Sequence, residues 1–412
     1  MKKVIGILIL IAISVSINAQ EENISFQSDN LTLNGTLSIP EIGNSPYPIA
    51  ILVHGSGPND RNQTITLSDG NSLCLYPNLF NQTIRNFEDI SDHLSDNGIA
   101  VLRYDKRTFT HGQTLIESEI LVSDFIIDIE SAIEYCETKS ELDLNNIFLI
   151  GHSQGSSLIP IAATNSESIK GLISLAGPTT PIDSLLPEQI RHLYVECAND
   201  PNTGDNIANQ FYTQFEQIRN GTFPLDEQIT ITIPGNPNPI PQGYGSFWSN
   251  WIDISDDVIQ NYSDSNLKSL IIQGDNDLNV PVNDANDFEG ISNSVIKIYP
   301  GINHFLTTAD DNKVNDEILN NITSWINSCL TTSIEIVEEP ERFKIYRLGS
   351  EVIIEGKDKC EDCVVEIYQI DGKLLKSKTM NTNKLSIELP IENYLKVFIV
   401  KNKQSVESKL IR

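Results

Sequence analysis

The stretch IFLIGHSQG, residues Ile147–Gly155, decides the fold of this chain. Its four leading apolar residues are bounded by a glycine and predict a short buried strand. The next five residues fit the G-x-S-x-G pattern of a nucleophile elbow, a tight turn between a strand and a helix. Glycine is needed at positions 151 and 155, because a side chain at either would crowd the turn that exposes the hydroxyl of Ser153. The pattern also occurs by chance in surface loops, so its context decides between the two interpretations.

The context is a regular alternation of strands and helices. Residues after the elbow predict a helix in which Pro160 falls in the second turn, where it is expected to bend the helix. A hairpin is predicted at 24–40, buried strands at 48–53, 99–105, 171–177, 267–273 and 294–299, and helices at 87–97, 123–138 and 314–330. This alternation predicts an α/β fold with a doubly covered, mostly parallel sheet.

Residues 178 to about 266 interrupt the alternation. The segment is too long for a simple connection, so we predict a helical insertion that overlies the site as a cap. It carries four aromatic residues that either line a substrate pocket or pack the insertion against the core, and packing is the favoured interpretation. These are Tyr244, Phe247, Trp248 and Trp251.

The two ends of the chain differ from its middle. Residues 1–19 have the charged start, apolar run and small residue of a cleaved signal peptide, with an uncleaved membrane anchor as the alternative. We therefore expect a secreted or surface protein. Residues 20–332 form the predicted catalytic domain, and 333–342 a polar linker. Short alternating segments at 343–412 predict a small all-β sandwich.

Composition excludes some partners. The chain has 412 residues and a formal net charge of −28, which argues against nucleic-acid binding and against stable association with an anionic membrane. Cys360 and Cys363 lack the further ligands of a zinc site, so they form a local disulfide or remain reduced. No carboxylate or histidine cluster has metal-ligand spacing and no loop would cradle phosphate, so we predict no metal or cofactor.

Three residues that suit nucleophilic catalysis follow predicted strands. Ser153, Asp277 and His304 stand in the order that accompanies a nucleophile elbow, and the carboxyl ends of parallel strands share one edge of the sheet. His304 would take the proton of Ser153, while Asp277 would orient the imidazole. Asp275 competes with Asp277, and spacing alone does not separate them.

Oxyanion donors are predicted beside these residues. A glycine-rich bend follows the strand at 48–53 and exposes backbone N–H groups. We predict that the oxyanion hole uses the N–H groups of Gln154 and Ser56, with Gly57 as the alternative to Ser56. His54 is interpreted as a structural residue that supports the bend. The charged run Arg103–Arg107 is interpreted as a network that braces loops near the site.

With these residues in place, the chain resembles the α/β-hydrolase superfamily over about residues 24–330. It is most similar to secreted esterases near the dienelactone-hydrolase and prolyl-oligopeptidase-like branch. Segments that carry the resemblance are 33–37, 54–61, 102–107, 151–155, 274–277 and 301–304. The family's G-x-x-D pattern selects Asp277 over Asp275. The resemblance implies hydrolysis of carboxylic esters without a cofactor (EC 3.1.1), although dienelactone hydrolases carry a cysteine where this chain has Ser153.

The C-terminal part has characteristic segments at 365–372, 385–390, 397–400 and 408–412, together with Tyr394. With these segments, residues 343–412 resemble the C-terminal sorting domain of type IX secretion, which implies secretion machinery as a partner and delivery to the surface or medium. A carbohydrate-binding sandwich is the alternative for this domain.

For the protein as a whole, we expect a serine carboxylesterase that acts on small or medium acyl esters. A peptidase or acyltransferase of the same fold, and a surface binding protein without catalysis, are the other hypotheses.

Overall fold

The computed structural model describes residues 20–166, 168–236 and 238–330, followed by segments 343–348, 351–356, 363–369, 374–388, 395–401 and 405–411. The chain divides into two compact units at residues 331 and 332. The predicted signal peptide and linker, and Cys360, lie outside the described residues. Among the residues that are described, no helix has the length and apolar character needed to cross a membrane.

A mixed sheet forms the centre of the first unit. The strands of this unit are β1 (Gln20–Ser28), β2 (Leu31–Ile39), β3 (Tyr47–Val53), β4 (Thr64–Thr66), β5 (Thr83–Arg85), β6 (Ala100–Tyr104), β7 (Leu142–His152), β8 (Ile169–Leu175), β9 (Gln228–Ile231), β10 (Ile240–Tyr244), β11 (Lys268–Gly274) and β12 (Ser294–Tyr299). Eight of them pair in the order β1-β2-β6-β3-β7-β8-β11-β12. The β1–β2 and β2–β6 pairs are antiparallel, and all pairs from β6 to β12 are parallel. The predicted mostly parallel sheet is confirmed.

Helices cover both faces of this sheet. They are α1 (Gly70–Leu75), α2 (Asn86–Asp96), α3 (Arg107–Thr110), α4 (Ser123–Glu137), α5 (Gln154–Thr164), α6 (Ile182–Leu193), α7 (Pro201–Arg219), α8 (Gly245–Asp256), α9 (Val258–Ser265) and α10 (Asp316–Leu330). Short 3₁₀ helices lie at Pro77–Leu79, Glu117–Glu119 and Val282–Gly290, and a π-helical turn at Tyr194–Ala198. One buried apolar cluster joins the sheet to α4 and α5, and a second joins it to α2 and α10. The apolar runs of the central strands are therefore buried on both sides.

Pro160 does not end α5, which continues to Thr164. Proline has no N–H, so it cannot bond the carbonyl of Ser156 one turn earlier. The buried hydroxyl of Tyr262, on α9, donates to that carbonyl at 3.0 Å. A side chain 106 positions away thus replaces the missing backbone donor, and the carbonyl keeps a partner.

Residues 178–266, here called the insertion, connect β8 to β11, which are neighbours in the sheet. They contain α6 to α9 and the β9–β10 pair, and they have an apolar cluster of their own. Trp248 belongs to that cluster, and its indole N–H donates to the carbonyl of Gln242 at 2.7 Å. A disulfide between Cys74 and Cys197 ties α1 to the insertion. Sequence reasoning did not predict this pairing.

The second unit contains only strands among its described residues. They are β13 (Phe343–Leu348), β14 (Glu351–Gly356), β15 (Cys363–Gln369), β16 (Leu374–Met380), β17 (Lys384–Glu388), β18 (Leu395–Lys401) and β19 (Ser405–Ile411). They form two antiparallel sheets, β13-β14-β17 and β16-β15-β18-β19, and a small apolar cluster draws on both. These sheets are compatible with the predicted all-β domain. Cys363 is disulfide-bonded.

Candidate active site

Ser153 lies between β7 and α5 in a strained conformation, with φ 51° and ψ −120°. Non-glycine residues seldom adopt positive φ, and the nucleophile of an elbow is a known exception. A Cβ at Gly151 would approach the backbone of Gly155 to 2.5 Å, and a Cβ at Gly155 would approach the carbonyl oxygen of Val53 to 2.3 Å. Both glycines are therefore required by close backbone packing, which leaves Ser153 half-buried at the edge of the sheet.

The structure brings Asp277 and His304 together. Nδ1 of His304 lies 2.9 Å from Oδ2 of Asp277, whose side chain is fully buried. The carboxylate also accepts the backbone N–H groups of Asn279 and Val280, at 2.8 and 2.9 Å, and the side-chain amide of Gln273 at 3.0 Å. Burial acts to raise the pKa of Asp277, but the charge and hydrogen bond of His304 and these N–H donors lower it below its usual value. Asp277 is therefore an ionised group held in one orientation.

Asp275 has a different role. It is exposed, and it accepts the backbone N–H of Gly301 at 2.6 Å. It thus braces the turn that leads to His304, whereas the imidazole itself bonds Asp277. The geometry separates the two acids that spacing alone could not.

His152, the residue before Ser153, positions the loop that carries His304. Its Nε2 lies 2.8 Å from the carbonyl oxygen of His304, and the two ring centroids are 4.9 Å apart. Its Nδ1 lies 2.9 Å from the amide nitrogen of Gln63. Because an amide nitrogen only donates, Nδ1 of His152 accepts and its Nε2–H donates to the carbonyl. The elbow and the histidine loop are therefore joined directly.

Gln63 is a supporting residue that sequence reasoning missed. It is buried with φ 48°, and its side-chain oxygen accepts the N–H of Gly55 at 2.9 Å. Its amide nitrogen contacts His152 and the side-chain oxygen of Asn86. One side chain thus connects the bend after β3, the elbow and α2. Gln63 lies in a polar, irregular stretch, and no local pattern distinguishes it from its neighbours.

The bend after β3 is held by side chains. The amide nitrogen of Asn59 donates to the carbonyls of Gly55, Ser56 and Gly57 at 3.1, 2.9 and 3.3 Å. The ammonium group of Lys106 also donates to Gly55 at 2.8 Å. In a trans peptide the N–H points away from the carbonyl, so these bonds direct the N–H of Ser56 to the opposite side. His54 bonds the backbone of Asp60 and packs against two rings, as a structural residue does.

The charged run after β6 forms the expected network. Arg103 pairs with Glu21, Asp105 with Arg61, and Arg107 with Asp128. Lys106 differs from the others. It is buried, it donates to Gly55 and to the side-chain oxygen of Gln154, and it lies 4.1 Å from the ring centre of Phe125. Burial lowers the pKa of Lys106 to about 7, against the attraction of Asp128.

A cavity of about 380 Å³ adjoins the elbow, within the 300–1,000 Å³ typical of small-molecule sites. Ser56, Gly57 and Gln154 form its wall on the sheet side, so the residues predicted to supply the oxyanion hole share one cavity. The insertion contributes Tyr244, Phe247 and Trp251. Three of the four aromatic residues therefore line the cavity, in addition to the packing that was the favoured interpretation. Trp248 packs inside the insertion.

A second apolar cluster packs close to His304, through the neighbouring residue Phe305. Tyr76 and Leu79 form a buried cluster against which Phe305 packs, and the Tyr76 and Phe305 ring centroids are 5.2 Å apart. Burial, with a smaller contribution from the charge of Asp277, raises the pKa of Tyr76. Cys74, two residues earlier, is tied to Cys197 of the insertion. Within the described part of the chain, no group of three histidine, cysteine or acidic residues could hold a metal ion.

Comparison with known proteins identifies the family. The sequence model of the alpha/beta hydrolase fold matches residues 77–306, more than half of the chain. The chain belongs to the α/β-hydrolase family. It is 35% identical over 177 residues to Esterase EstD of Thermotoga maritima, a match that covers 41% of this chain and 37% of that protein. This α/β hydrolase thus spans little more than a third of that relative's length.

Solved structures with related architecture include two esterases. Est1E from Butyrivibrio proteoclasticus has 17% sequence identity and a TM-score of 0.46, with 75% of this chain and 98% of that chain covered. The esterase domain from a Rhodothermus marinus protein has 14% identity and a TM-score of 0.43, with coverage of 75% and 98%.

Proposed function

We propose that this α/β hydrolase is a serine carboxylesterase in which Ser153 is the nucleophile. The observation that carries the proposal is the 2.9 Å contact between His304 Nδ1 and the buried carboxylate of Asp277, on a loop that His152 holds beside the elbow. A carboxylate on Nδ1 leaves Nε2 of His304 as the atom that exchanges a proton. The named esterase relative supports the same reaction class.

Catalysis would proceed through an acyl-enzyme. The hydroxyl oxygen of Ser153 attacks the ester carbonyl carbon while Nε2 of His304 takes its proton, and Asp277 stabilises the imidazolium that forms. Collapse of the tetrahedral intermediate breaks the bond to the alkoxy oxygen, which receives that proton and leaves as an alcohol. Water then repeats the sequence on the acyl-enzyme, releases the acid and restores the hydroxyl of Ser153.

The negative charge of each tetrahedral intermediate would fall on the former carbonyl oxygen. We assign its stabilisation to the backbone N–H groups of Ser56 and Gln154. Asn59 and Lys106 hold the carbonyl of Gly55, and hence the N–H of Ser56, in a fixed orientation. Donors that are oriented in advance need no reorganisation during the reaction, and the loss of one typically costs about 3 kcal/mol of transition-state stabilisation.

The insertion would act as a cap that selects the substrate. Its aromatic side chains form one wall of the 380 Å³ cavity, a volume suited to small or medium acyl groups.

We also propose that residues 1–19 direct export of the protein and that the C-terminal sorting domain delivers it to the surface or medium. The Cys74–Cys197 disulfide supports this, because structural disulfides persist mainly outside the reducing cytosol.

Hydrolysis of p-nitrophenyl esters from acetate to decanoate tests the proposal. The full chain should turn over the shorter esters, and Ser153→Ala should reduce kcat by at least about 10⁴-fold while it keeps the circular dichroism spectrum of the parent. A folded chain that hydrolyses none of these esters, or a Ser153→Ala variant with full activity, would contradict the proposal. Turnover of peptide substrates alone would assign the same residues to a peptidase.

A further inference from the structure

Lys106 contacts both segments that are proposed to supply the oxyanion hole. Its ammonium nitrogen donates to the carbonyl oxygen of Gly55 at 2.8 Å and to the side-chain oxygen of Gln154 at 3.0 Å. The first bond is made to the peptide group whose other end is the N–H of Ser56. The second is made to the residue whose backbone N–H is the other proposed donor. One cation is therefore hydrogen-bonded to both segments.

The charge of Lys106 lacks an ionic partner. The residue is only 4% exposed, and it forms no ion pair with any carboxylate that the structure describes. Asp128 attracts it, but Arg107 pairs with that carboxylate at 2.7 Å. The ring of Phe125, whose centre lies 4.1 Å from the nitrogen, compensates the charge in part. Burial of a charge without an ionic partner destabilises a fold, and such groups cluster at functional sites.

The bend after β3 does not need a charged donor to hold its shape. The amide nitrogen of Asn59 donates to the same carbonyl of Gly55 at 3.1 Å, and to the next two carbonyls at 2.9 and 3.3 Å. A neutral side chain thus already fixes the bend. What Lys106 adds to it is a positive charge.

The peptide group between Gly55 and Ser56 links this charge to the reaction. Its carbonyl accepts from Lys106, while its N–H points to the opposite side, where the oxyanion is proposed to form. A cation on the carbonyl polarises the peptide and strengthens the hydrogen bond that its N–H donates. Peptide and hydrogen-bond lengths place an oxyanion bound there within about 8 Å of the ammonium nitrogen. At that distance, attraction between unit charges is worth roughly 30-fold in rate at an effective dielectric constant of about 20.

We propose that the positive charge of Lys106 stabilises the oxyanion through the Gly55–Ser56 peptide, so that Lys106 is a positioning residue that the reaction requires in its protonated form. This inference rests on the proposed esterase function, and it goes beyond the orientation of the bend, for which hydrogen bonds suffice. The oxyanion carries its charge only as the tetrahedral intermediate forms. Loss of the lysine charge should therefore lower kcat and leave KM nearly unchanged.

Deprotonation separates the charge of Lys106 from its hydrogen bonds. A neutral amine keeps two N–H groups, enough for Gly55 and Gln154, but it carries no charge. Burial lowers the pKa of Lys106 to about 7. The value of kcat should therefore fall as the pH rises through this value, whereas a role in hydrogen bonding alone predicts no decrease.

Other titratable groups surround Lys106. Asp128 attracts its charge from α4, and Glu117 and Tyr244 line the same cavity. His54 lies at the end of β3, and burial together with the charge of Lys106 lowers the pKa of His54 to about 3. His54 is therefore neutral above pH 6, and variants of Lys106 are needed to assign a decrease at alkaline pH.

Values of kcat and KM for p-nitrophenyl butyrate from pH 6 to 9.5, corrected for spontaneous hydrolysis, test the proposal in the full chain. At pH 6.5, Lys106→Met should lower kcat by about 30-fold and change KM by less than about threefold. The ratio of kcat between the parent and Lys106→Met should shrink to a few-fold at pH 9.5. Lys106→Arg keeps its charge at every pH, so its kcat should not fall at alkaline pH.

Lys139→Met is the matched control. Lys139 also lies near an aromatic ring, that of Tyr135, but at the opposite end of α4 from Phe125. Its replacement removes a cation of the same kind away from the cavity, so kcat and its pH dependence should not change.

The outcomes separate this inference from the function on which it rests. A folded Lys106→Met variant with kcat within threefold of the parent would overturn the inference, and so would a loss that is equal at every pH. An alkaline decrease that persists in Lys106→Arg would assign that decrease to another group and overturn it as well. If Lys106→Met does not fold, the parent decides, because a constant kcat between pH 7.5 and 9.5 would contradict the need for a protonated lysine. A folded parent that hydrolyses no ester would instead overturn the proposed function.

Discussion

His152 and His304 lie side by side at the edge of the sheet, yet their surroundings give them opposite properties. Nδ1 of His304 contacts the buried carboxylate of Asp277, which stabilises a positive charge on the ring. Nδ1 of His152 accepts a hydrogen bond from the amide of Gln63, and its Nε2–H donates to a backbone carbonyl. Burial, with a further contribution from the charge of His304, lowers the pKa of His152 to about 3.

The comparison shows that burial disfavours a charge on an imidazole, and that the partner at Nδ1 either offsets this cost or adds to it. Both rings are buried, and they are in contact. An amide that donates to Nδ1 blocks protonation, whereas a carboxylate at the same atom favours it. His304 is thus suited to proton transfer, and His152 is suited to hold the loop of His304 in position.

The largest expected effect comes from removal of the carboxylate that distinguishes His304. Asp277→Asn should lower kcat for ester hydrolysis by about 10⁴-fold, because an amide at this position favours the wrong tautomer and does not stabilise the imidazolium. Asp275→Asn is the matched control, since within the described residues the side chain of Asp275 bonds only the backbone N–H of Gly301. The decrease in kcat of Asp275→Asn should stay below about tenfold. Equal losses in the two variants would show that Asp277 has no special role.

A second substitution gives His152 the kind of partner that His304 has. Gln63→Glu keeps an acceptor for the N–H of Gly55 but places a carboxylate near Nδ1 of His152. We expect the pKa of His152 to rise, and a positive charge there should oppose protonation of His304. The expected loss in kcat is roughly 10- to 100-fold, at or below the lower end of the 10²- to 10⁴-fold that general acid–base catalysis typically contributes.

Imidazole NMR signals across a pH titration, together with kcat, measure both effects of Gln63→Glu. Gln63→Met removes the three side-chain hydrogen bonds of this residue without adding charge and serves as the control. An unchanged His152 titration in Gln63→Glu would contradict the idea that the amide keeps this ring neutral.

How far the sequence could predict these two histidines depends on the range of their contacts. Ser153, Asp277 and His304 each follow a recognisable strand, and the parallel sheet brings the ends of those strands to one edge. The role of His152 depends on Gln63, which is 89 positions away in an irregular stretch. No periodicity indicates such a contact. The pairing of Cys74 with Cys197 was unpredictable for the same reason, because connectivity does not follow from cysteine positions.

The smallest expected effect is on stability and its pH dependence. Between pH 6.5 and about 3, the unfolded chain binds a proton at residue 152 and the folded chain does not. Acid therefore favours unfolding, and His152 should account for a loss of up to about 1.4 kcal/mol in the free energy of unfolding per pH unit. His152→Gln should lack this part of the slope, and above pH 6.5 the two slopes should agree.

Urea unfolding followed by tryptophan fluorescence measures this difference, because Trp248, Trp251 and Trp325 all belong to the first unit. His54, whose pKa burial also lowers to about 3, is present in both proteins and cancels in the comparison. Identical slopes between pH 6.5 and 3 would mean that His152 is protonated in the folded chain.

Covalent labelling of the full chain with an alkyl fluorophosphonate, mapped by mass spectrometry, tests the central claim that His304 activates Ser153. The account predicts one phosphonyl group per chain on the peptide that contains Ser153, no label in Ser153→Ala, and slow labelling in Asp277→Asn. Labelling of Gln63→Glu should proceed at an intermediate rate. A folded chain that stays unlabelled, or one labelled at another residue, would contradict the claim.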